Sequence, residues 1–133
     1  MSTKETLEAI ALLNDHTRQS LRVEGNRLVT DFGPVQMIGR LASTFVEHED
    51  PIGLLHELIE SVRCYDFSDN RQALCVERDT GVVRLNYERV VFQIAYYEAT
   101  DVMNEQLTHY ASDPSSRERT TRVLYLFYLG DCV

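Results

Sequence analysis

The sequence has no tryptophan, three cysteines, three prolines and a single lysine among its 133 residues. Three cysteines are too few, and odd in number, for the disulfide framework that stabilises many small secreted domains. No apolar run approaches the roughly 20 residues of a membrane-spanning helix. The N-terminal segment lacks the basic stretch and apolar core of a signal peptide. These absences predict a cytoplasmic protein with one domain over residues 1–133.

Basic residues are also scarce. Thirteen of them face twenty-one acidic residues, and the formal net charge is −8. Proteins that bind nucleic acid or anionic lipid use clustered lysine and arginine, so neither direct nucleic-acid binding nor membrane binding is expected. Two interpretations remain. The charge keeps a small domain soluble, or it attracts a partner protein that has a basic surface.

The segment VVRLNYERVVFQIAYYEA, residues 82–99, organises the predicted fold. Two runs rich in β-branched and aromatic residues flank Asn86-Tyr87-Glu88, which is typical of a β-hairpin. Alternate residues of the second run lie on opposite faces: Val90, Phe92, Ile94 and Tyr96 on one, Val91, Gln93, Ala95 and Tyr97 on the other. The second face is only half polar. We therefore expect a loop, a dimer mate or a partner to cover it.

Two segments have the pattern of amphipathic helices. A capping-box spacing and apolar residues at helical intervals predict a helix over residues 3–19. Asp50 can cap a second helix, which has Pro51 at its first position and an apolar stripe that extends to about Cys64.

The remaining elements are predicted to be strands. Gly25-Asn26 favours the tight turn of a small hairpin, and a strand is expected around residues 73–78. Residues 120–129, TTRVLYLFYL, are typical of a strand buried on both faces. Residues 35–46 fit strand or helix, with helix favoured in their later part. Together the elements predict an α+β fold, in which an antiparallel sheet of about four or five strands has two or three helices on one face.

Residues 99–117 are polar and contain Asp113-Pro114, so they predict a long excursion with one helical turn near residues 102–107. Loops of this length are uncommon in compact domains unless they have a function or are disordered.

Four segments are informative together: IALLNDHTR (10–18), LIESVRCYDFSDN (58–70), YERVVFQIAYYEAT (87–100) and SDPSSRERTTRVLYLFYL (112–129). They resemble the domain of unknown function 3768 family. The positions that carry the resemblance are Asn14, Asp15, Asp66, Phe67, Tyr96, Tyr97, Asp113, Pro114, Arg122, Val123 and Leu124. The resemblance implies a small, single-domain bacterial protein, often encoded on plasmids or other mobile elements, and it implies no catalytic residue. Residues 32–50 depart from the family pattern and look like an insertion.

No catalytic or metal-binding signature is present. His56 and Glu60 have i,i+4 helical spacing, but they match no known ligand motif and lack a third histidine nearby, so no metal site and no cofactor are expected. Cys64 lies at the C-terminal end of a predicted helix, where the dipole disfavours a thiolate, and apolar packing explains the other cysteines better.

One arrangement of polar residues keeps an enzymatic function open. Asp66 and Asp69, in the loop DFSDN, could perform acid–base chemistry together with Asn14, Asp15 and Arg18. Turn formation explains the two loop aspartates equally well, because Asp, Ser and Asn bond back to the backbone.

The acidic bias favours a different hypothesis. Residues 44–62 and 90–116 carry carboxylates and no lysine or arginine, so side by side they would form one negative face. Such a face can occupy a groove built for nucleic acid. The leading prediction is a non-enzymatic inhibitor that occludes a basic surface of a host defence complex, of anti-CRISPR or antirestriction type. The candidate partner-binding residues are Glu47, Glu49, Asp50, Glu57, Glu60, Tyr97, Glu98 and Asp101. A third hypothesis is a homo-oligomeric structural module that associates through the uncovered sheet face.

Overall fold

A computed structural model describes residues 3–25, 27–67, 77–99 and 110–131. It contains three helices, six strands and a final 3₁₀ turn. In chain order these are α1 (Thr3–Gln19), β1 (Arg22–Glu24), β2 (Arg27–Thr30), β3 (Gly33–Met37), α2 (Leu41–Glu47), α3 (Pro51–Arg63), β4 (Thr80–Leu85), β5 (Glu88–Glu98), β6 (Thr120–Tyr128) and the turn Leu129–Asp131.

The strands form one mixed sheet in the order β1-β2-β3-β6-β5-β4. Neighbouring strands are antiparallel except β3 and β6, which are parallel and pair from Val35 with Leu124 to Met37 with Leu126. The predicted α+β class is confirmed. The prediction of an antiparallel sheet of four or five strands is wrong in strand number and in strand direction. The sheet has six strands, and the N-terminal strands join it through the parallel pair of β3 with β6. Parallel strands need a long crossover connection, and local sequence does not reveal their pairing.

The hairpin predicted at residues 82–99 forms between β4 and β5. Asn86 and Tyr87 both have positive φ, 50° and 69°, at the turn between Leu85 and Glu88. Positive φ at both central residues is the geometry of a type I′ turn, whose twist matches the twist of the flanking strands. On its other edge, β5 pairs with β6 along nine consecutive residues, from Val90 with Tyr128 to Glu98 with Thr120.

The core lies between the helices and one face of the sheet. Phe92 and Ile94 of β5 and Leu124 of β6 are buried there against the apolar stripe of α3. Gly81 faces the Phe92 ring so closely that an added Cβ would lie 2.5 Å from it, so only glycine fits at this point of β4. The helix α3 begins as the sequence predicts, with the Asp50 side chain accepting a hydrogen bond of 3.1 Å from the Gly53 amide.

The opposite face of the sheet is partly covered by the chain itself. The ring of Tyr110 stacks on that of Tyr97 with 5.7 Å between centroids, and the Tyr97 and Tyr125 hydroxyls are 3.0 Å apart. Val123 is fully buried on this face. Among the three explanations offered for this face, the contact with Tyr110 supports a covering loop, and a homodimer through this face stays a prediction.

Residues 35–46, for which the sequence fits strand or helix, form a strand and then a helix. The strand β3 ends at Met37, Gly39 turns the chain with φ of 68°, and α2 begins at Leu41. Helix in the later part of this stretch is therefore confirmed. The strand expected around residues 73–78 and the helical turn expected near residues 102–107 lie almost entirely outside the described residues. No helix in the described ranges is long and apolar enough to span a membrane.

Candidate functional site

Five of the predicted partner-binding residues lie together on α2, α3 and the short connection between them. We call this group the acidic surface: Glu47, Glu49, Asp50, Glu57 and Glu60. All five residues are exposed. Within the part of the chain that the structure describes, none of them forms an ion pair. Their negative charge is therefore available to a partner.

Two members of the acidic surface have local structural roles. Asp50 caps α3, as described above. Glu60 accepts a hydrogen bond of 3.1 Å from the Cys64 thiol, and this bond, followed by burial, raises the pKa of the thiol. Cys64 is therefore held as a thiol rather than activated as a nucleophile. The remaining three, Glu47, Glu49 and Glu57, make no side-chain hydrogen bond within the described ranges.

The other predicted contact residues lie elsewhere. The start of α2 lies near the start of β5, because Arg40, the residue before α2, forms an ion pair with Glu88, the first residue of β5. Glu98 is the last residue of β5. Ten residues at about 3.3 Å each separate the two ends by roughly 33 Å. Tyr97 packs on the outer face of the sheet. Asp101 falls outside the described residues. The structure thus groups five of the eight predicted residues and places Tyr97 and Glu98 apart from the start of α2.

An apolar groove lies beside the acidic surface, with a volume of about 620 Å³. One wall comes from the β1–β2 hairpin and β3, and the other comes from α2 and α3. Its apolar lining includes Leu28, Val35, Met37, Phe45, Ile52 and Leu55. Arg27 and His56 are the charged or titratable residues of its lining. The sequence did not predict this groove, because its lining comes from five separate elements and local sequence does not show which elements pack together.

A second polar arrangement is buried. The Asn14 side chain, fully buried on α1, donates hydrogen bonds from Nδ2 to the Glu77 carbonyl at 2.9 Å and to the Tyr96 hydroxyl at 2.8 Å. Its Oδ1 accepts a bond of 2.8 Å from Nε of Arg122, which is also fully buried. The Tyr96 hydroxyl donates to Oε1 of Glu77 at 2.7 Å. Burial and this last bond raise the pKa of Tyr96 well above its ordinary value.

An adjacent ion-pair cluster completes this arrangement. The Asp15 carboxylate accepts from Arg18 at 2.8 Å and from Arg78 at 3.0 Å. Arg18 also donates to the Val62 carbonyl and lies over the Phe67 ring. We call these linked groups the buried polar network: Asn14, Asp15, Arg18, Glu77, Arg78, Tyr96 and Arg122. The network connects α1 to α3, β5, β6 and the residues before β4.

The network bears on the enzymatic hypothesis. The structure brings Asn14, Asp15 and Arg18 together as that hypothesis requires, whereas Asp66 lies exposed after α3 and Asp69 lies outside the described residues. The amide of Asn14 is fully hydrogen-bonded inside the protein, and none of the four main cavities of the described regions is lined by these three residues. Their arrangement therefore supports the fold.

Sequence reasoning gave Arg122 no role, although its position carried a signal. Arg122 lies in phase with Leu124 and Leu126, the inward residues of β6, so strand periodicity alone directs its guanidinium toward the core. Within the described residues its Nη1 atom has no hydrogen-bond partner. An isolated arginine on the apolar face of a strand indicates a buried polar partner nearby.

Metal binding finds no site in the described ranges. No group of three or more histidine, cysteine, aspartate or glutamate side chains there is placed to hold a metal ion. His56 and Glu60, the pair with i,i+4 spacing, are both exposed on α3.

The architecture defines the class of this protein as α+β, with helices on one face of a mixed six-stranded sheet. The model of the family described as Protein of unknown function (DUF3768) matches residues 35–131, so the chain belongs to that family. The match includes α2, α3 and all of β3 to β6 except the first two residues of β3. It leaves out α1, which carries Asn14 and Asp15. Neither the search of curated proteins nor that of solved structures gives a match.

Proposed function

We propose that this protein is a non-enzymatic binding protein whose acidic surface occupies a basic, nucleic-acid-binding surface of a partner protein. The observation that carries the proposal is the group of five exposed carboxylates on α2 and α3 with no ion-pair partner among the described residues. Un-neutralised charge of one sign attracts a partner of opposite charge and speeds its association.

The proposed class of partner follows from the sign of these charges. Duplex DNA presents one phosphate charge per roughly 1.7 Å of axis, and proteins that hold it line their channels with lysine and arginine. The carboxylates of the acidic surface carry charge of the same sign as the phosphates, so such a channel attracts them. The proposed partner is a host defence complex that handles nucleic acid, and occupation of its channel inhibits it by excluding the nucleic acid.

The test compares charge reversal on the acidic surface with the same charge change elsewhere. The test variant is Glu47→Lys/Glu49→Lys/Glu57→Lys, which leaves Asp50 in place because its carboxylate caps α3. The control variant is Glu5→Lys/Glu88→Lys/Glu118→Lys, which changes three exposed glutamates outside α2, α3 and the lining of the apolar groove. Purified CRISPR effector complexes and restriction enzymes with labelled DNA serve as partners. The measurements are displacement of the DNA and the association rate at low and high salt.

We expect the wild-type protein to displace DNA from one of these partners, with an association rate that falls as salt rises. The test variant should associate about 10- to 1000-fold more slowly at low salt, because electrostatic steering contributes that range. The control variant should associate nearly as fast as the wild type. Equal rates for the two variants, or no displacement from any partner, would contradict the proposal.

A further inference from the structure

Among the residues that the structure describes, the apolar groove is a gap in the helical layer. Val35 and Met37 pair with Leu124 and Leu126 of β6, whose side chains face the core, so they lie on the face of the sheet that the helices cover. Over the strands β4 to β6 that face is buried, whereas beside β1 to β3 it opens into the groove. An α+β fold buries the apolar face of its sheet beneath helices. The helical layer of the described residues is therefore incomplete beside β1 to β3.

The side of the groove formed by α2 and α3 exposes apolar side chains. Ile52, at the start of α3, lines the groove and is 69% exposed, and Val46, near the end of α2, is 85% exposed. Exposed apolar side chains that are rimmed by polar residues mark interaction sites. Glu47, Glu49 and Asp50 lie between Val46 and Ile52 in the chain, in the segment that joins the lining residues of α2 to those of α3.

The charges of the two walls differ. Glu60 lies one helical turn after His56, a lining residue, so it borders the groove on the α3 side. The opposite wall carries Arg27, which has no ion-pair partner in the described ranges. The α3 side of the groove is therefore bordered by a carboxylate, and the opposite wall carries a guanidinium group. An occupant that matches this pattern has an apolar face and a basic flank directed toward α2 and α3.

We propose that the groove binds an amphipathic, basic α-helix of the partner protein, with its apolar face in the groove and its lysines or arginines along the acidic surface. This inference rests on the proposed function and specifies the element of the partner that is recognised. The groove is lined by side chains of two helices and three strands, so it suits side-chain anchors at helical spacing i, i+3, i+4 and i+7.

The experiment uses three labelled synthetic peptides of about 18 residues, or five helical turns. The first is an amphipathic leucine–lysine helix, the second replaces its lysines with glutamates, and the third scrambles the first so that no apolar face remains. Affinities for the full-length protein are measured by fluorescence anisotropy. The groove variant is Ile52→Arg, and its control is Leu12→Arg, which changes an apolar residue of α1 that is 49% exposed. Ala42→Trp, at an exposed lining position, is a second groove variant in case the first does not fold.

We expect the leucine–lysine helix to bind best, with the glutamate and scrambled peptides at least about tenfold weaker. Ile52→Arg and Ala42→Trp should each weaken binding of the leucine–lysine helix about tenfold or more, since burying one large aliphatic side chain contributes that much. Leu12→Arg should leave the affinity unchanged. The Glu47/Glu49/Glu57 reversal should weaken binding as strongly as the groove variants.

The outcomes separate this inference from the proposed function. If the charge reversal weakens peptide binding and the groove variants do not, the acidic surface acts without the groove, and only the inference is overturned. If the groove variants weaken binding and the reversal does not, the occupant is not recognised by its charge, and both proposals lose their basis. If the leucine–lysine helix does not bind at all, the inference is overturned, while DNA displacement still decides the proposed function.

Discussion

The buried polar network and the acidic surface use the same types of side chain in opposite ways. In the network, Asp15 is bound by two guanidinium groups and Asn14 uses its whole amide within the protein. On the acidic surface, Glu47, Glu49 and Glu57 have no such partners among the described residues. Internal partners make the first group a structural component. The acidic surface has no such internal partners among the described residues, so its charge acts on other molecules.

The comparison shows why charged residues cannot be assigned a role by residue type alone. Buried hydrogen-bonded charges are costly to break, because removal of one partner leaves the other desolvated and unpaired. Exposed charges without partners contribute little to stability and act mainly on association. Substitutions in the network should therefore change the free energy of unfolding. Substitutions on the acidic surface should change association rates and leave the fold intact.

The largest effect on stability is expected at the centre of the network. Asn14→Ala leaves Nε of Arg122 and the hydroxyl of Tyr96 without their bonds to the amide, so the free energy of unfolding should fall by about 3 kcal/mol. Urea unfolding measures the loss. Gln19→Ala, at an exposed position of the same helix, is the matched control and should stay within about 0.5 kcal/mol of the wild type. Similar losses for the two variants would show that the network has no special structural role.

A smaller effect should appear at alkaline pH. The raised pKa of Tyr96 means that above pH ~10 the unfolded chain releases this proton while the folded chain retains it, so stability falls as pH rises. The stability advantage of the wild type over Tyr96→Phe should therefore shrink above pH ~10, by up to about 1 kcal/mol per pH unit after allowance for the partial exposure of the ring. Denaturant unfolding between pH ~8 and ~11 measures it. For the control variant Tyr87→Phe, at an exposed position, the difference in free energy of unfolding from the wild type should stay constant over this range.

The smallest effect should separate the two roles of Asp50. Asp50→Ala removes the cap of α3 and should cost about 1 kcal/mol, whereas Asp50→Asn keeps a capping oxygen and should cost nearly nothing. Both variants remove the same charge, so they should weaken binding to a basic partner equally. Thermal unfolding and the peptide affinity measure the two properties. If Asp50→Asn binds as well as the wild type, this carboxylate acts only as a cap.

Local signals predicted much of the fold. The capping residues and apolar periodicity of α1 and α3 lie within the helices themselves, and the bounds of α1 agree with the prediction. The central hairpin was predictable because its strand alternation and its turn are contiguous. The parallel pairing of β3 with β6 was not predictable, because a strand's sequence shows which face is buried and not which strand lies beside it.

The candidate site was predictable only in part. The carboxylates of the acidic surface all lie between residues 47 and 60, on two helices joined by a short connection, so their grouping was predictable from the sequence. The expected extension to Glu98 depended on the placement of distant strands, and the structure places that residue at the far end of β5. The pairing of Asn14 with Arg122 joins residues 108 positions apart, which neither helical nor strand periodicity can relate.

The position of β6 has a consequence for the order in which the chain can assemble. It is the last described strand, and it forms the seam between the β1–β3 group and the β4–β5 hairpin. Until Thr120–Tyr128 has been synthesised, the two groups have no shared backbone ladder, and the inner residues of both are open to solvent. A nascent chain must therefore wait for β6 before these two groups of strands can join, which makes a ribosome-bound intermediate vulnerable to aggregation and to chaperone capture.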